Sequence, residues 1–223
     1  VNTGLDHIVI GAATLEQGVK YVKDYLGVEI PPGGEHFHMG THNHLMQLGN
    51  EVFLEVMAVN PEATAPKQPR WFGLDDPFVK AQLESQPRLL TWVVNTPNIN
   101  SLQQQSRFNF GAIASMNRGY IEWLITVRDD GSLPGAGMLP TLIEWRNDTH
   151  PSNRYPDLGC FLQSLEIYHS NVDWLRFILQ SVGAEQCVEL FSLPANVPPY
   201  MVARIQTPSG VKQLSSKVFV QPH

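Results

Sequence analysis

A chain of 223 residues, 43% of them hydrophobic, is long enough for one large domain or two small ones with a real core. A formal charge of −6, with 15 Lys and Arg scattered and no basic stripe, argues against a phosphate-backbone partner, so no nucleic acid is expected. No apolar run approaches the roughly 20 residues that cross a bilayer, and the opening Val1-Asn2-Thr3-Gly4 lacks a charged-then-apolar leader, so the chain reads as cytoplasmic, without a membrane partner. Two cysteines, Cys160 and Cys187, are too few for a disulfide scaffold and are expected as thiols.

Alternation from Leu5 to Ile10 predicts a strand, after which Thr14 caps a helix whose Leu15, Val19, Tyr21, Val22 and Leu26 form an apolar stripe that ends at Gly27. Val28 to Pro32, His44 to Leu48 and Val52 to Val59 read as three further strands, with Gly33-Gly34 and Gly49-Asn50 as turns. Residues 1–60 are therefore a βαβββ module. Residues 61–87 form a linker with a short helix from Asp76 to Leu83. The pattern then returns over 88–147: a strand from Leu89 to Val94, a helix capped by Asn98 with Ile99 and Leu102 buried, and strands near Ala112 to Met116, Tyr120 to Val127 and Thr141 to Trp145. The Gly/Pro-rich segment Ser132 to Gly137 lengthens the last hairpin. A polar, proline-bearing linker over 148–159 leads to a third βαβββ-like module over 160–223, with Asn171 capping a helix from Val172 to Val182 that Gly183 ends, and a final turn at Thr207-Pro208-Ser209-Gly210. The expected fold is α+β: repeated βαβββ modules, two of them paired into a curved, cup-like mixed sheet, plus a third related module.

Each of the caps Thr14, Asn98 and Asn171 lies seven residues after a matched strand position, which places His7 opposite Thr91 and Ser164; the late strands in turn match Glu55 with Glu144 and Ser215. Alternation points His7 away from the helix-covered side of its sheet. Two such sheets curving together about a pseudo-two-fold axis would gather His7, Glu55, Thr91 and Glu144 in one cup. An N,O,O set from His7, Glu55 and Glu144 suits a divalent ion such as Mn²⁺, Fe²⁺, Ni²⁺, Zn²⁺ or Mg²⁺. The structural reading stands beside it: a lone strand histidine is commonly hydrogen-bonded scaffold and a strand glutamate commonly faces solvent, in which case no metal binds. Trp71, Phe72, Trp92, Trp123 and Trp145 are expected in the core, Trp92 and Trp145 under the helices. Arg118 and Arg146 are the nearest anion-binding candidates, with a solvated surface role as the alternative. No Ser-His-Asp order, glycine-rich phosphate loop or Cys-x-x-Cys pair suggests another chemistry. With Ser164 and Ser215 at its matched positions, the third module is expected to be architectural, covering a sheet face or pairing with a second copy in a homodimer.

Paired βαβββ modules with ligands on first and last strands resemble the vicinal oxygen chelate superfamily. Leu5-Asp6-His7-Ile8-Val9, the run from Gly33-Gly34-Glu35-His36 to Gly40-Thr41-His42-Asn43, Phe53-Leu54-Glu55, Arg70-Trp71-Phe72-Gly73-Leu74, Leu139 to Trp145 and His150-Pro151 resemble the glyoxalase-like family in particular. The resemblance implies a site in the cup with His7 and Glu55 at ligand positions, Glu144 at the matching place, and His36, Thr41 and Asn43 walling it; Thr91 departs from the four-ligand pattern and would face substrate or water. Turn chemistry is the alternative for the Gly, Thr and Asn of this run. The expected function is a metal-dependent enzyme of lyase, isomerase or dioxygenase type acting on a small oxygen-bearing substrate, with Glu144 or Glu55 as general base. The alternative is a non-catalytic protein of the same fold that binds or sequesters a small molecule.

Overall fold

The computed structural model describes residues 2–217. The first module is β1 (Gly4–Gly11), α1 (Leu15–Leu26), β2 (Pro32–His36), β3 (Thr41–Gln47) and β4 (Phe53–Val59). α2 (Pro77–Ser85) follows, then the second module of β5 (Arg88–Asn95), α3 (Ile99–Gln105), β6 (Ala112–Arg118), β7 (Ile121–Val127) and β8 (Thr141–Trp145). Side-chain oxygens start the helices where expected: Thr14 accepts from the Gln17 amide, Asp76 from Phe78 and Val79, and Asn98 from Ser101.

These strands make one curved sheet in the order β2-β3-β4-β1-β5-β8-β7-β6, with β1 and β5 antiparallel at its centre. Curvature brings the outer strands β2 and β6 together, so the sheet is nearly closed. Each strand then has a helix face and a cup face. Ile8, Ile10, Leu54, Val56, Trp92, Val94 and Leu142 pack on the helix side, while Val9, Met57, Val93, Trp123, Ile125 and Ile143 pack inside the cup.

One feature of the first module departs from the sequence reading. Gly33 and Gly34, expected as a turn, lie within β2, which starts four residues later than predicted. A Cβ on Gly33 would stand 2.3 Å from Asn43 Oδ1, and one on Gly34 2.8 Å from Arg118 Cδ, so glycine is required there for close approach rather than for a turn. From the segment between the modules, Trp71 and Phe72 join the core of the cup, as expected.

The third unit, β9 (Phe161–His169), α4 (Val172–Ser181), β10 (Glu189–Ser192), β11 (Tyr200–Thr207) and β12 (Gly210–Ser215), keeps the βαβββ element order. Its strands pair as β10-β9-β11-β12, with the last strand at an edge, whereas β4 lies directly beside β1. Ser215 is therefore not the counterpart of Glu55. Leu165, Ile167, Leu175 and Met201 share the helix-side core of the large sheet, so this unit covers that face. Both cysteines are free thiols. Among the described residues no helix is long and apolar enough to cross a membrane.

Candidate functional site

β1 carries the site because of a register break. Leu5 pairs with Val94 and His7 with Val93, leaving Asp6 as an extra residue. Consecutive strand residues normally point to opposite faces; a bulge re-aims one of them. Asp6 and His7 consequently touch, with His7 Nδ1 donating to Asp6 Oδ2 at 2.6 Å. The other Asp6 oxygen accepts from Asn95 Nδ2 at 2.9 Å, Trp145 Nε1 at 2.8 Å and His150 Nε2 at 2.8 Å. A carboxylate with four donors is well compensated for complete burial. Burial alone would raise its pKa, but the hydrogen bonds from His150 and His7 hold it well below the usual carboxylate range.

β4 runs parallel to β1 and sets Glu55 beside Val9, on the cup face. His7 Nε2 faces Glu55 Oε1 at 3.6 Å, and Phe53 stacks on the imidazole with ring centroids 4.3 Å apart. Burial alone would lower the His7 pKa; its hydrogen bond to Asp6 and the facing Glu55 outweigh that and push it up to about 9, so the ring is an imidazolium at neutral pH. Burial would raise Glu55, but His7 and Asn43 hold it below its ordinary value.

The network continues onto β2 and β3. The Gly34 amide donates to Asn43 Oδ1 at 2.9 Å, which orients the Asn43 amide so that Nδ2 donates to Glu55 Oε2 at 2.6 Å and faces His36 Nε2 at 3.4 Å. His36 Nδ1 meets Thr41 Oγ1 at 3.0 Å, and Trp71 Nε1 donates to the same hydroxyl. Burial drives the His36 pKa down to about 4, so this ring is neutral where His7 is charged. One polar chain thus runs Asp6, His7, Glu55, Asn43, His36, Thr41.

His7, His36, Asn43 and Glu55 open onto a cavity of about 410 Å³, counting space open to solvent, with Leu45, Met57, Trp71, Phe72, Trp123, Ile125, Ile143 and Trp145 among its apolar walls and Arg118 and Tyr155 also lining it. Of the expected site residues, His7, Glu55, His36 and Asn43 are brought together here. Thr41 sits behind His36. Thr91 is fully buried on the cup face opposite Val9, its hydroxyl without a hydrogen-bond partner.

Glu144 is not brought to this site, which corrects its placement as ligand and base. Val93 pairs with Thr141 as Val9 pairs with Glu55, so the register equates Glu55 with Thr141. Glu144 comes three residues later and, at a side-chain period of two, falls on the helix face. There it accepts from the Ile99 amide at the start of α3 (2.9 Å) and from Arg146 Nη1 (2.7 Å). Trp145, expected under the helices, faces the cup for the same reason. The second bulge, at Leu90 on β5, mirrors that at Asp6. Position for position, the second half of the cup carries Leu90, Thr91 and Thr141 where the first carries Asp6, His7 and Glu55.

This donor set does not fit the four-ligand pattern that the resemblance implies. His7 and Glu55 remain, the two symmetry-related positions are threonines, and among the described residues no group of three or more His, Cys, Asp or Glu side chains is arranged to hold an ion. Sequence reasoning overlooked Asp6, His150 and Tyr155 as parts of the site, while Arg118, an anion-binding candidate with a surface role as the alternative, does line the cavity. The Asp6-His7 adjacency was visible, but only the bulge lets adjacent residues meet.

No curated protein matches the chain. Among solved structures, a hypothetical protein from Staphylococcus aureus is 11% identical, with 96% of this chain and 85% of that chain covered and a TM-score of 0.58, which shows a shared fold. Methylmalonyl-CoA epimerase from Mycobacterium tuberculosis is 15% identical over 64% of this chain and 86% of that one, with a TM-score of 0.40. A Streptomyces coelicolor methylmalonyl-CoA epimerase variant, complexed with 2-nitronate-propionyl-CoA, is 14% identical over 66% of this chain and 100% of that one, with a TM-score of 0.39. The family model described as a glyoxalase-like domain matches residues 5–183, which spans both cup modules and reaches through β9 and α4 of the third unit. The chain belongs to the glyoxalase-like family.

Proposed function

We propose that the chain is an acid–base enzyme of isomerase or lyase type acting on a small carbonyl compound bound in the cup. The observation that carries this reading is the buried His7–Glu55 pair, held from both ends by Asp6 and Asn43 and opening onto the cavity. Glu55 accepts a proton from the carbon next to the substrate carbonyl, and the electron pair left behind moves onto the carbonyl oxygen. His7, an imidazolium, faces the developing oxyanion and donates to it. A carboxylate held below its ordinary pKa is a weak base, so the step depends on that cation in a site of low dielectric. His36 stays neutral and, through Asn43, fixes the carboxylate orientation. No step is assigned to a metal ion, because only two of the four matched ligand positions, His7 and Glu55, carry donors and among the described residues no three His, Cys, Asp or Glu side chains are arranged to hold one.

The test is hydrogen exchange in deuterium oxide, followed by proton NMR on a panel of small 2-oxo acids, hydroxyketones and dicarbonyls. Wild-type protein should exchange the hydrogen next to the carbonyl of at least one compound, Glu55→Gln should lose about a hundredfold or more of the rate, and chelator treatment should leave the rate unchanged. Exchange that requires an added divalent ion would restore the metal-dependent reading. A second reading, binding without turnover, is favoured by Leu90, Thr91 and Thr141 in the other half of the cup; compounds that bind and never exchange would establish it.

A further inference from the structure

The cavity contains a cation that the proton-transfer reading leaves unused. Arg118 ends β6 on the cup face, two residues beyond the buried Met116, and enters the cavity from the edge strand opposite His36. Among the described residues it forms no ion pair, whereas Glu55, which lines the same cavity, accepts from Asn43 and faces His7. Its hydrogen bond is to Tyr155 Oη at 3.4 Å, a long contact from Arg118 Nη2. Burial pushes the Tyr155 pKa up to about 12, so the phenol remains a donor at neutral pH. A guanidinium fork and a phenol O–H thus line one cavity, and among the described residues no carboxylate is bonded to either. The opposing strand is built to admit this side chain: a Cβ on Gly34 would sit 2.8 Å from Arg118 Cδ and 3.3 Å from Nε.

We propose that Arg118, with Tyr155, anchors the carboxylate of the substrate, so that the compound turned over at His7 and Glu55 is a small monocarboxylic acid bearing a carbonyl. This rests on the proton-transfer reading for the reaction but not for the anion site. A planar fork of parallel N–H donors matches a carboxylate. Glu55 across the cavity and a single guanidinium disfavour a dianion such as phosphate, which recruits several donors. The apolar walls at Leu45, Met57, Ile125 and Ile143 suit a short hydrocarbon body between the two polar ends.

Binding is read by tryptophan fluorescence, since Trp71, Trp123 and Trp145 line the cavity. The probes are acetate, propanoate and butanoate, their 2-oxo counterparts, and the uncharged amide of each. Wild-type protein should bind at least one acid about tenfold or more tightly than its amide, the discrimination expected of one charge-assisted pair. Arg118→Gln should bring that ratio close to one, and Gly34→Ala, which displaces Arg118 without touching its charge, should lower it in a protein whose circular dichroism is unchanged. Glu55→Gln should keep or raise the ratio while losing exchange. An unchanged ratio in both Arg118→Gln and Gly34→Ala, or no acid preferred over its amide, overturns the anion site and leaves the proton-transfer reading standing. An Arg118-dependent ratio with no exchange on any acid has the opposite consequence.

Discussion

Replacing Asp6 by asparagine removes one charge and changes the size of the side chain hardly at all, yet it strikes the residue on which the site is hung. Asp6 is fully buried and its two oxygens accept from His7, Asn95, Trp145 and His150. An asparagine that keeps its oxygen toward the three donors on one side presents an NH₂ group to His7 Nδ1, a donor facing a donor, and strips the imidazolium of its hydrogen-bonded counter-charge. Breaking a buried ionic pair from one side costs about 3–5 kcal/mol, and a chain of this size loses about 2–4 °C per kcal/mol. Asp6→Asn should therefore melt roughly 6–20 °C below wild type near neutral pH. The pH dependence follows from the direction of each shift. The folded pKa of His7 is raised from 6.5 to about 9, so its contribution is complete below 6.5 and is lost as pH rises through about 9. The folded pKa of Asp6 is depressed, so its contribution is present above its ordinary 3.8 and is lost as pH falls. The gap between the two proteins should be widest between these limits and close above pH 9. Urea denaturation across pH measures the gap, and NMR titration of the His7 ring measures its pKa in both proteins. A variant within about 1 kcal/mol of wild type, with the His7 pKa unmoved, would refute the reasoning.

Three further outcomes are expected. Thr91→Val removes a buried hydroxyl that lacks a partner and leaves a β-branched shape in the strand, so stability should stay level or rise by about 1 kcal/mol; a clear drop in the melting temperature would mean that the hydroxyl has a partner in solution. Glu144→Gln weakens the acceptor at the start of α3 and its Arg146 pair at a cost of about 1 kcal/mol, and should leave exchange kinetics untouched; a large rate loss would return Glu144 to the site. Burial pushes the Cys187 thiol up to about 11 and also raises Cys160, so both should react with disulfide reagents at neutral pH far more slowly than a free thiol of ordinary pKa; rapid labelling of the folded protein would contradict this.

The module architecture was legible because it is written locally. Apolar alternation marks β1, β4 and β8, and Thr14, Asn98 and Asn171 each accept the amide bonds that begin a helix. Residue type and strand face together brought out His7 and Glu55. The failures share a different origin. Matching Glu144 to Glu55 compared distances along the chain, whereas equivalence in a sheet is settled by which residues pair, and Thr141 pairs with Val93 as Glu55 pairs with Val9. The Gly33-Gly34 dipeptide reads as a turn by composition, and only the approach of Asn43 and Arg118 from other strands explains glycine there.

The amino-acid sequence by itself determined most of the strands and helices, because periodicity and capping act over a few neighbouring residues, and its motifs carried the resemblance to the family and pointed to His7 and Glu55. The tertiary structure decided which face each late-strand side chain occupies, how the third unit orders its strands, and that Asp6, His150, Arg118 and Tyr155 meet around the same cup. Those outcomes depend on register between distant strands and on one extra residue at Asp6. A shift of a single position reverses every side chain beyond it, and no local pattern records that shift.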